Sequence, residues 1–144
     1  MKKSEIRYNE MFEKFKRGGY KLTPQRIGIL KILSKRYDHP RPEDIYEELK
    51  KNFPTTSPAT VYKTLLVLKE LKEVFVIQYS QNSNRYDGVN PEPHPHICCK
   101  FCNEIIDVDN SVFNHLKEEI TDLSGYIIED IKLEMTGICP KCQK

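Results

Sequence analysis

The sequence has no long apolar run, because its hydrophobic stretches extend over only a few positions. A helix that crosses a bilayer needs about 20 mostly apolar residues, so we expect no membrane span and no membrane partner. The first residues, Met1 to Ile6, lack the apolar core of a secretory signal peptide. Repeats and low-complexity linkers are also absent. With 38% hydrophobic and 31% charged residues, the 144-residue chain has the composition of an ordinary soluble protein of one or two small domains.

Four of the five cysteines form two Cys-x-x-Cys pairs, Cys99 with Cys102 and Cys139 with Cys142. This spacing lets two thiolates bind one tetrahedral metal ion at Zn–S distances of about 2.3 Å. A redox dithiol and a pair of disulfides are the alternatives. The double pair favours one structural zinc with no open position, which contributes about 10–16 kcal/mol (apparent) to folding. Metal-type pairs also favour a reducing, cytoplasmic location.

The net charge of +2 hides an uneven distribution. Residues 1–72 contain 17 Lys and Arg against 9 Asp and Glu, whereas residues 73–144 contain 6 against 12. This asymmetry predicts that the first half contacts a polyanion and that the second binds cations or pairs with itself. Lysine-rich helix faces that are merely solvated would give the same count.

Four helices are predicted in the first half. Thr23-Pro24 and Ser57-Pro58 each combine an N-cap residue with proline at the first helical position. The helix after Ser57 has a buried stripe at i, i+4 and i+7, which leaves Tyr62 and Lys63 off that stripe. The predicted helices are Ile6 to Lys16, Gln25 to Lys35, Pro42 to Lys51, and the helix that begins after Ser57 with Val61, Leu65 and Leu68 inward.

A β-hairpin is predicted after these helices, with strands Val74 to Tyr79 and Asn84 to Asp87 around the turn Ser80 to Ser83. Four helices and a hairpin in a basic segment is the order of a winged helix-turn-helix. An all-α packing module would share the helical part. Gly88, Pro91 and Pro93 then predict a boundary near Asp87 to Glu92, and we divide the chain into domains 1–87 and 88–144.

The second domain is predicted to be α/β, so the whole chain is α+β. The predicted strands are Ile97 to Cys99 and Ile105 to Val108. A helix follows over Ser111 to Leu123, capped by Asn110 or Ser111 and ended by Gly125. The stretch Tyr126 to Met135 is predicted to be rich in β-structure.

His94 and His96 are spaced i, i+2, so in an extended segment both imidazoles project to one face and Cys99 to the other. A second metal is therefore predicted there. Asp87, Asp107 and His39 would complete three nitrogen and two carboxylate donors with one position open. This set suits Fe(II) or Mn(II), although affinity order also favours Zn(II) or Cu(II). A polar strand edge would show the same histidine pair, and His115 is expected to be a surface or capping residue.

Several segments together resemble the ferric uptake regulator (Fur) family over nearly the whole chain. They are Leu22-Thr23-Pro24-Gln25-Arg26, His39-Pro40 with Asp44-Ile45-Tyr46, Phe53-Pro54 with Ser57 and Ala59-Thr60-Val61-Tyr62, Arg85-Tyr86-Asp87, His94-Pro95-His96 with Cys99-x-x-Cys102, and Cys139-x-x-Cys142. The resemblance implies a homodimeric, metal-dependent repressor with an N-terminal winged helix and a C-terminal α/β dimerisation domain. The implied structural zinc ligands are Cys99, Cys102, Cys139 and Cys142.

Within the family, Asp at positions 87 and 107 resembles the peroxide-responsive branch, whereas iron sensors usually have Glu at both. This implies that His39, Asp87, His94, His96 and Asp107 hold a regulatory Fe(II) or Mn(II), and that peroxide oxidises His39 or His94. Lys63 instead resembles iron regulators, and Cys98 occupies a usually apolar position, where it is either a small core residue or an oxidisable, soft ligand.

We therefore expect a cytoplasmic homodimer that represses transcription from a palindromic double-stranded operator. The expected DNA contacts are Arg26, Ser57, Thr60, Tyr62 and Lys63. A repressor that senses iron or another metal is the second hypothesis. A metal-dependent oxygenase is the third, because two histidines and one carboxylate can hold reactive iron.

Overall fold

In a computed structural model the chain folds into two compact units, Met1–Glu92 (unit 1) and Pro93–Lys144 (unit 2). The structure describes residues 2–78 and 84–144, so Tyr79 and the predicted turn Ser80 to Ser83 lie outside the described residues. The elements are α1 (Lys3–Arg17), α2 (Pro24–Lys35), α3 (Pro42–Leu49), α4 (Pro58–Glu70), β1 (Phe75–Ile77), β2 (Arg85–Asp87), β3 (His96–Cys99), β4 (Ile105–Asp107), α5 (Ser111–Ser124) and β5 (Glu134–Gly137). No helix within these two ranges has the length and apolar content needed to cross a bilayer.

Unit 1 packs its four helices around one apolar core and ends in a small antiparallel pair of strands. The predicted stripe of α4 is confirmed, since Val61, Leu65 and Leu68 are all buried. Strand β1 pairs with β2 so that Phe75 lies opposite Asp87. The core is completed by apolar side chains of α1, α2 and α3, which are Met11, Phe15, Ile29, Leu30, Leu33, Ile45 and Leu49.

The two cap-plus-proline sequences behave differently. The Thr23 side chain accepts a hydrogen bond from the Arg26 amide at 3.2 Å, which confirms it as the N-cap of α2. Ser57 has the extended backbone of an N-cap, but its side chain makes no capping hydrogen bond. Its hydroxyl lies 3.4 Å from that of Thr60 instead, so the prediction of a Ser57 side-chain cap is wrong.

The segment after β2 remains with unit 1, so the two units divide after Glu92, at the end of the boundary region Asp87 to Glu92 that the sequence indicates. The Asp87 carboxylate accepts hydrogen bonds from the amides of Val89 and Asn90. Gly88 packs so closely that a Cβ there would come within 2.9 Å of Leu33 and Met11. These contacts hold the start of the connecting segment against unit 1.

Unit 2 is a three-stranded sheet in the order β4-β3-β5, with α5 between β4 and β5 along the chain. Two predictions hold only in part here. Of the expected β-rich stretch Tyr126 to Met135, only Glu134 and Met135 lie in a strand, because pairing with β3 is confined to Glu134–Gly137. Asn110 stands at the predicted N-cap position of α5 but makes no side-chain capping hydrogen bond; the Asp109 carboxylate instead accepts from the Ser111 amide at 2.8 Å. Gly125, with φ of 73°, ends the helix as predicted.

The difference between the two caps predicts a difference in stability. Thr23→Ala removes the acceptor of a helix-terminal amide and should lower the free energy of unfolding by about 1 kcal/mol. Ser57→Ala removes no capping bond and should change it by less than about 0.5 kcal/mol. Denaturant unfolding of the zinc-loaded protein measures both. Equal losses would contradict the assignment of Thr23 as the only side-chain cap of the two.

Candidate functional site

The four predicted zinc ligands come together at one end of the sheet of unit 2. Strands β3 and β5 are parallel with Cys99 opposite Gly137, so both Cys-x-x-Cys turns follow the same edge. The four sulfur atoms lie within 4.8 Å of one another, and the Sγ atoms of Cys102 and Cys139 are 3.8 Å apart. Among the described residues this set consists of four convergent thiols, which is the ligand set of a closed, structural zinc site.

Backbone amides prepare one of these thiols for a cation. Amide hydrogen bonds, first from Cys102 and then from Cys139, lower the pKa of Cys99 from 9.0 to about 6. The hydrogen bond that the Cys142 thiol shares with Cys139 instead raises the pKa of Cys142 to about 12. Zinc binding therefore releases at least the Cys142 proton, and zinc affinity falls as the pH falls.

His94, His96 and Asp107 form a second donor set within unit 2. In the antiparallel pair of β3 and β4, His96 lies directly opposite Asp107, and cross-strand partners place their side chains side by side. The Asp107 Oδ1 atom lies 3.0 Å from His94 Nε2 and 3.2 Å from His96 Nε2. Both histidines are buried, and their ring centroids are 4.2 Å apart, as the i, i+2 spacing predicts for one face.

His39 and Asp87 form a third donor set within unit 1. His39 lies in the turn between α2 and α3, and Asp87 ends β2. The His39 Nε2 atom is 3.4 Å from Asp87 Oδ2, and both residues are buried, with 3% and 2% of their surface exposed. Nitrogen and carboxylate donors without sulfur suit Fe(II) or Mn(II), so this set and that of His94, His96 and Asp107 fit the regulatory metal chemically.

The predicted DNA contacts lie at the N-terminal parts of α2 and α4. Ser57, Tyr62 and Lys63 are exposed and Thr60 is half-buried. Arg26 is half-buried and donates to the Lys21 carbonyl at 3.0 Å.

One neighbour of this surface was not predicted. The Tyr62 hydroxyl donates to the Glu43 carboxylate at 3.0 Å, which raises the pKa of Tyr62 above its ordinary value. Glu43 belongs to α3, and no local sequence signal links it to Tyr62.

The fifth cysteine stands apart from the four-thiol set. Cys98 is buried, with 5% of its surface exposed, and its Sγ lies 3.7 Å from the Cys99 carbonyl oxygen. This burial agrees with the prediction of a small core residue. His115 is exposed on α5, as expected for a surface residue.

The sequence profile of the Ferric uptake regulator family matches residues 17–136. The chain belongs to this family. It is 31% identical over 139 residues to the peroxide-responsive repressor PerR of Staphylococcus aureus, across 96% of this chain and 93% of that protein. Among solved structures, the ferric uptake regulator Fur of Helicobacter pylori matches with a TM-score of 0.82 and 25% identity, across 98% and 94% of the two chains. A peroxide stress regulator of Campylobacter jejuni matches with a TM-score of 0.69 and 32% identity, across 92% and 97%.

Membership of this family indicates what the donor sets bind. Fur-family proteins are metal-responsive transcriptional regulators that bind DNA as dimers, with an α+β fold. Two kinds of metal site therefore belong to this chain: the four-cysteine set for structural zinc and the histidine–aspartate sets for a regulatory metal. A family of regulators gives the oxygenase hypothesis no support.

The four-thiol set predicts that losing one ligand releases the zinc and unfolds unit 2. Cys139→Ser should lower the zinc content well below one ion per chain. Unit 2 should unfold as the zinc is lost, because a structural site contributes about 10–16 kcal/mol (apparent) to folding. Cys98→Ala is the matched control and should retain zinc, since its thiol lies outside the set. Elemental analysis and circular dichroism measure the two effects. Full zinc in the Cys139 variant would contradict the assignment.

Proposed function

We propose that this protein is a homodimeric repressor of transcription that releases its operator when peroxide oxidises a histidine ligand of its regulatory metal. The observation that carries the proposal is the convergence of His94 and His96 on the single carboxylate of Asp107. A buried pair of imidazoles beside a carboxylate, with no thiolate, is a ligand set for Fe(II) or Mn(II).

We propose further that His39 and Asp87 bind the same ion as His94, His96 and Asp107. These three nitrogen and two oxygen donors would hold a six-coordinate metal with one position left for peroxide. Because the two donor sets come from different units, the bound ion would fix unit 1 relative to unit 2. Metal loss would then release that constraint.

In this proposal unit 1 is the DNA-binding winged helix and unit 2 is the dimerisation domain. Helix α4 reads the major groove and the β1–β2 hairpin is the wing. The excess of basic residues in 1–72 supports phosphate binding. The proposed contacts on this surface are Arg26, Ser57, Thr60, Tyr62 and Lys63. Two copies of α4 roughly 34–36 Å apart would match a palindromic operator.

An exposed apolar stripe on α5 supports a second copy of the chain as the partner. The stripe consists of Val112, Leu116, Ile120 and Leu123, which follow one another at helical spacing. Leu116 is half-buried and the other three are exposed. Helix α5 buries no residue within the chain, and Leu123 is 82% exposed. A stripe of this kind is expected to be covered in a dimer.

The choice of peroxide as the signal is supported by Asp at positions 87 and 107 and by the similarity to the two peroxide regulators. Fe(II) held by these residues would promote the reaction of peroxide with an imidazole, in which one peroxide oxygen is added to the ring and the other leaves as water, so that the histidine is the group oxidised. Mn(II) does not readily promote this reaction. His39 and His94 are the ligands proposed to accept an oxygen atom. A modified imidazole would bind metal more weakly, so the ion would leave and the constraint on unit 1 would be lost.

A repressor that senses metal availability is the second candidate. Two observations favour it: the TM-score of 0.82 to the Helicobacter pylori ferric uptake regulator, and Lys63 in the proposed reading helix. In that case metal depletion, and not peroxide, would release the operator.

Peroxide separates the two candidates. With Fe(II) bound, micromolar peroxide should release operator DNA and add the mass of one oxygen atom to a peptide containing His39 or His94. With Mn(II) bound, DNA should stay bound, because Mn(II) does not readily promote the oxidation of histidine by peroxide. Gel-shift assays and peptide mass spectrometry measure both results. Equal resistance to peroxide with the two metals would reject peroxide sensing and leave the metal-sensing repressor.

The apolar stripe predicts where a charge dissociates the dimer. Leu123→Glu should weaken dimerisation because it puts a carboxylate into the covered stripe. Asn114→Glu is the matched control, since the same carboxylate on the opposite side of α5 should leave the dimer intact. Sedimentation of the zinc-loaded proteins measures the oligomeric state. A dimeric Leu123 variant would place the interface elsewhere.

A further inference from the structure

The backbone of His39 has an unusual conformation for its position. Its φ of +55° lies in the left-handed region, which non-glycine residues seldom adopt. The next residue is Pro40, and a residue before proline prefers an extended backbone. The local sequence therefore does not favour the conformation that places this imidazole beside Asp87. Contacts from elsewhere must hold it.

Strand β2 supplies these contacts through three hydrogen bonds, which we call the β2 clamp. Arg85 Nη2 donates to the Asp38 carbonyl at 2.9 Å, and Arg85 Nε donates to the His39 carbonyl. The Tyr86 amide donates to the Pro40 carbonyl at 3.0 Å. Three consecutive carbonyls of the turn thus bond to two consecutive residues of β2, and the next residue of that strand is Asp87.

We propose that Arg85 is a positioning residue for the regulatory metal, acting through the backbone of His39. The inference rests on the proposed function, in which His39 and Asp87 are metal ligands. The planar guanidinium presents several donors in a fixed fork, so one side chain can bond two adjacent carbonyls. A lysine in its place has a single flexible ammonium group and does not reproduce this geometry.

The clamp joins both unit 1 donors to one strand. Asp87 belongs to β2 itself, and His39 is tied to β2 by Arg85. Without the guanidinium, the His39–Pro40 turn is free to relax toward the extended backbone and to carry the imidazole away from Asp87. Because β2 is also paired with β1, the clamp connects the metal donors to the hairpin proposed as the wing.

Arg36 provides a matched comparison in the same turn. Its guanidinium donates to the two carboxylate oxygens of Asp38, at 2.9 and 2.6 Å, and the structure describes no bond from it to the carbonyls of residues 38–40. Removing Arg36 deletes an arginine and its ion pairs with Asp38 and Glu48 but leaves the β2 clamp. Loss of charge alone and loss of the clamp can therefore be distinguished.

The test measures Mn(II) binding to the zinc-loaded, full-length protein from the electron paramagnetic resonance signal of free Mn(II). Arg85→Ala should weaken Mn(II) binding about 10- to 100-fold, the loss expected when the partner that orients a metal ligand is removed. Arg85→Lys should fall between this variant and the wild type. Arg36→Ala should bind Mn(II) as the wild type does, and zinc content should be the same in all four proteins.

A second readout needs no regulatory metal. Hydrogen exchange at the Tyr86 amide, which bonds Pro40, should be faster in both Arg85 variants than in the Arg36 variant. If Arg85→Ala fails to fold, Arg85→Lys decides. An Arg85→Lys protein with the Mn(II) affinity and Tyr86 exchange of the Arg36 variant overturns the inference while the proposed function stands. A wild type that binds no Mn(II) overturns the proposed function, and the inference falls with it.

Discussion

The scarcity of apolar interior in unit 2 is the constraint on which the rest of the structure depends. Across Pro93–Lys144, every residue of which the structure describes, the buried hydrophobic side chains are Cys98, Cys99 and Ile105. Domains of this size seldom fold on hydrophobic burial alone and need metals, disulfides or partner chains. The zinc site formed by the four thiols after β3 and β5 supplies such stabilisation within the unit. A second copy of the chain that covers α5 would add stabilisation by burying its apolar stripe.

Features that depend on neighbouring residues could be predicted from the sequence. Thr23 followed by Pro24 fixed the start of α2, because a capping bond and a proline act within one helical turn. The buried stripe of α4 could be predicted because its apolar residues, Val61, Leu65 and Leu68, recur at helical spacing. The cysteine pairs identified the zinc ligands, since the chemistry of a thiolate pair is set by its own spacing.

Features that depend on residues distant in the sequence could not be predicted in this way. A strand needs a partner for its backbone groups, and periodicity did not show that Glu134–Gly137 alone would pair with β3. Local signals also did not decide between neighbouring short polar residues, and Asp109, not Asn110, accepts the side-chain hydrogen bond at the start of α5. The contacts of Arg85 with the His39 turn, and of Tyr62 with Glu43, join residues far apart in the sequence, so no local pattern indicated them.

Strand β3 begins at His96 and ends at Cys99, a separation of about 10 Å at the usual rise per strand residue. Its first end carries imidazole beside a carboxylate, and its last end carries sulfur. Soft thiolates select zinc, whereas nitrogen and oxygen donors accept harder ions. A single extended segment of four residues thus carries donors for two kinds of metal ion at its two ends. Zinc held at its last end would keep in register the strand whose first end carries the donors for the other metal.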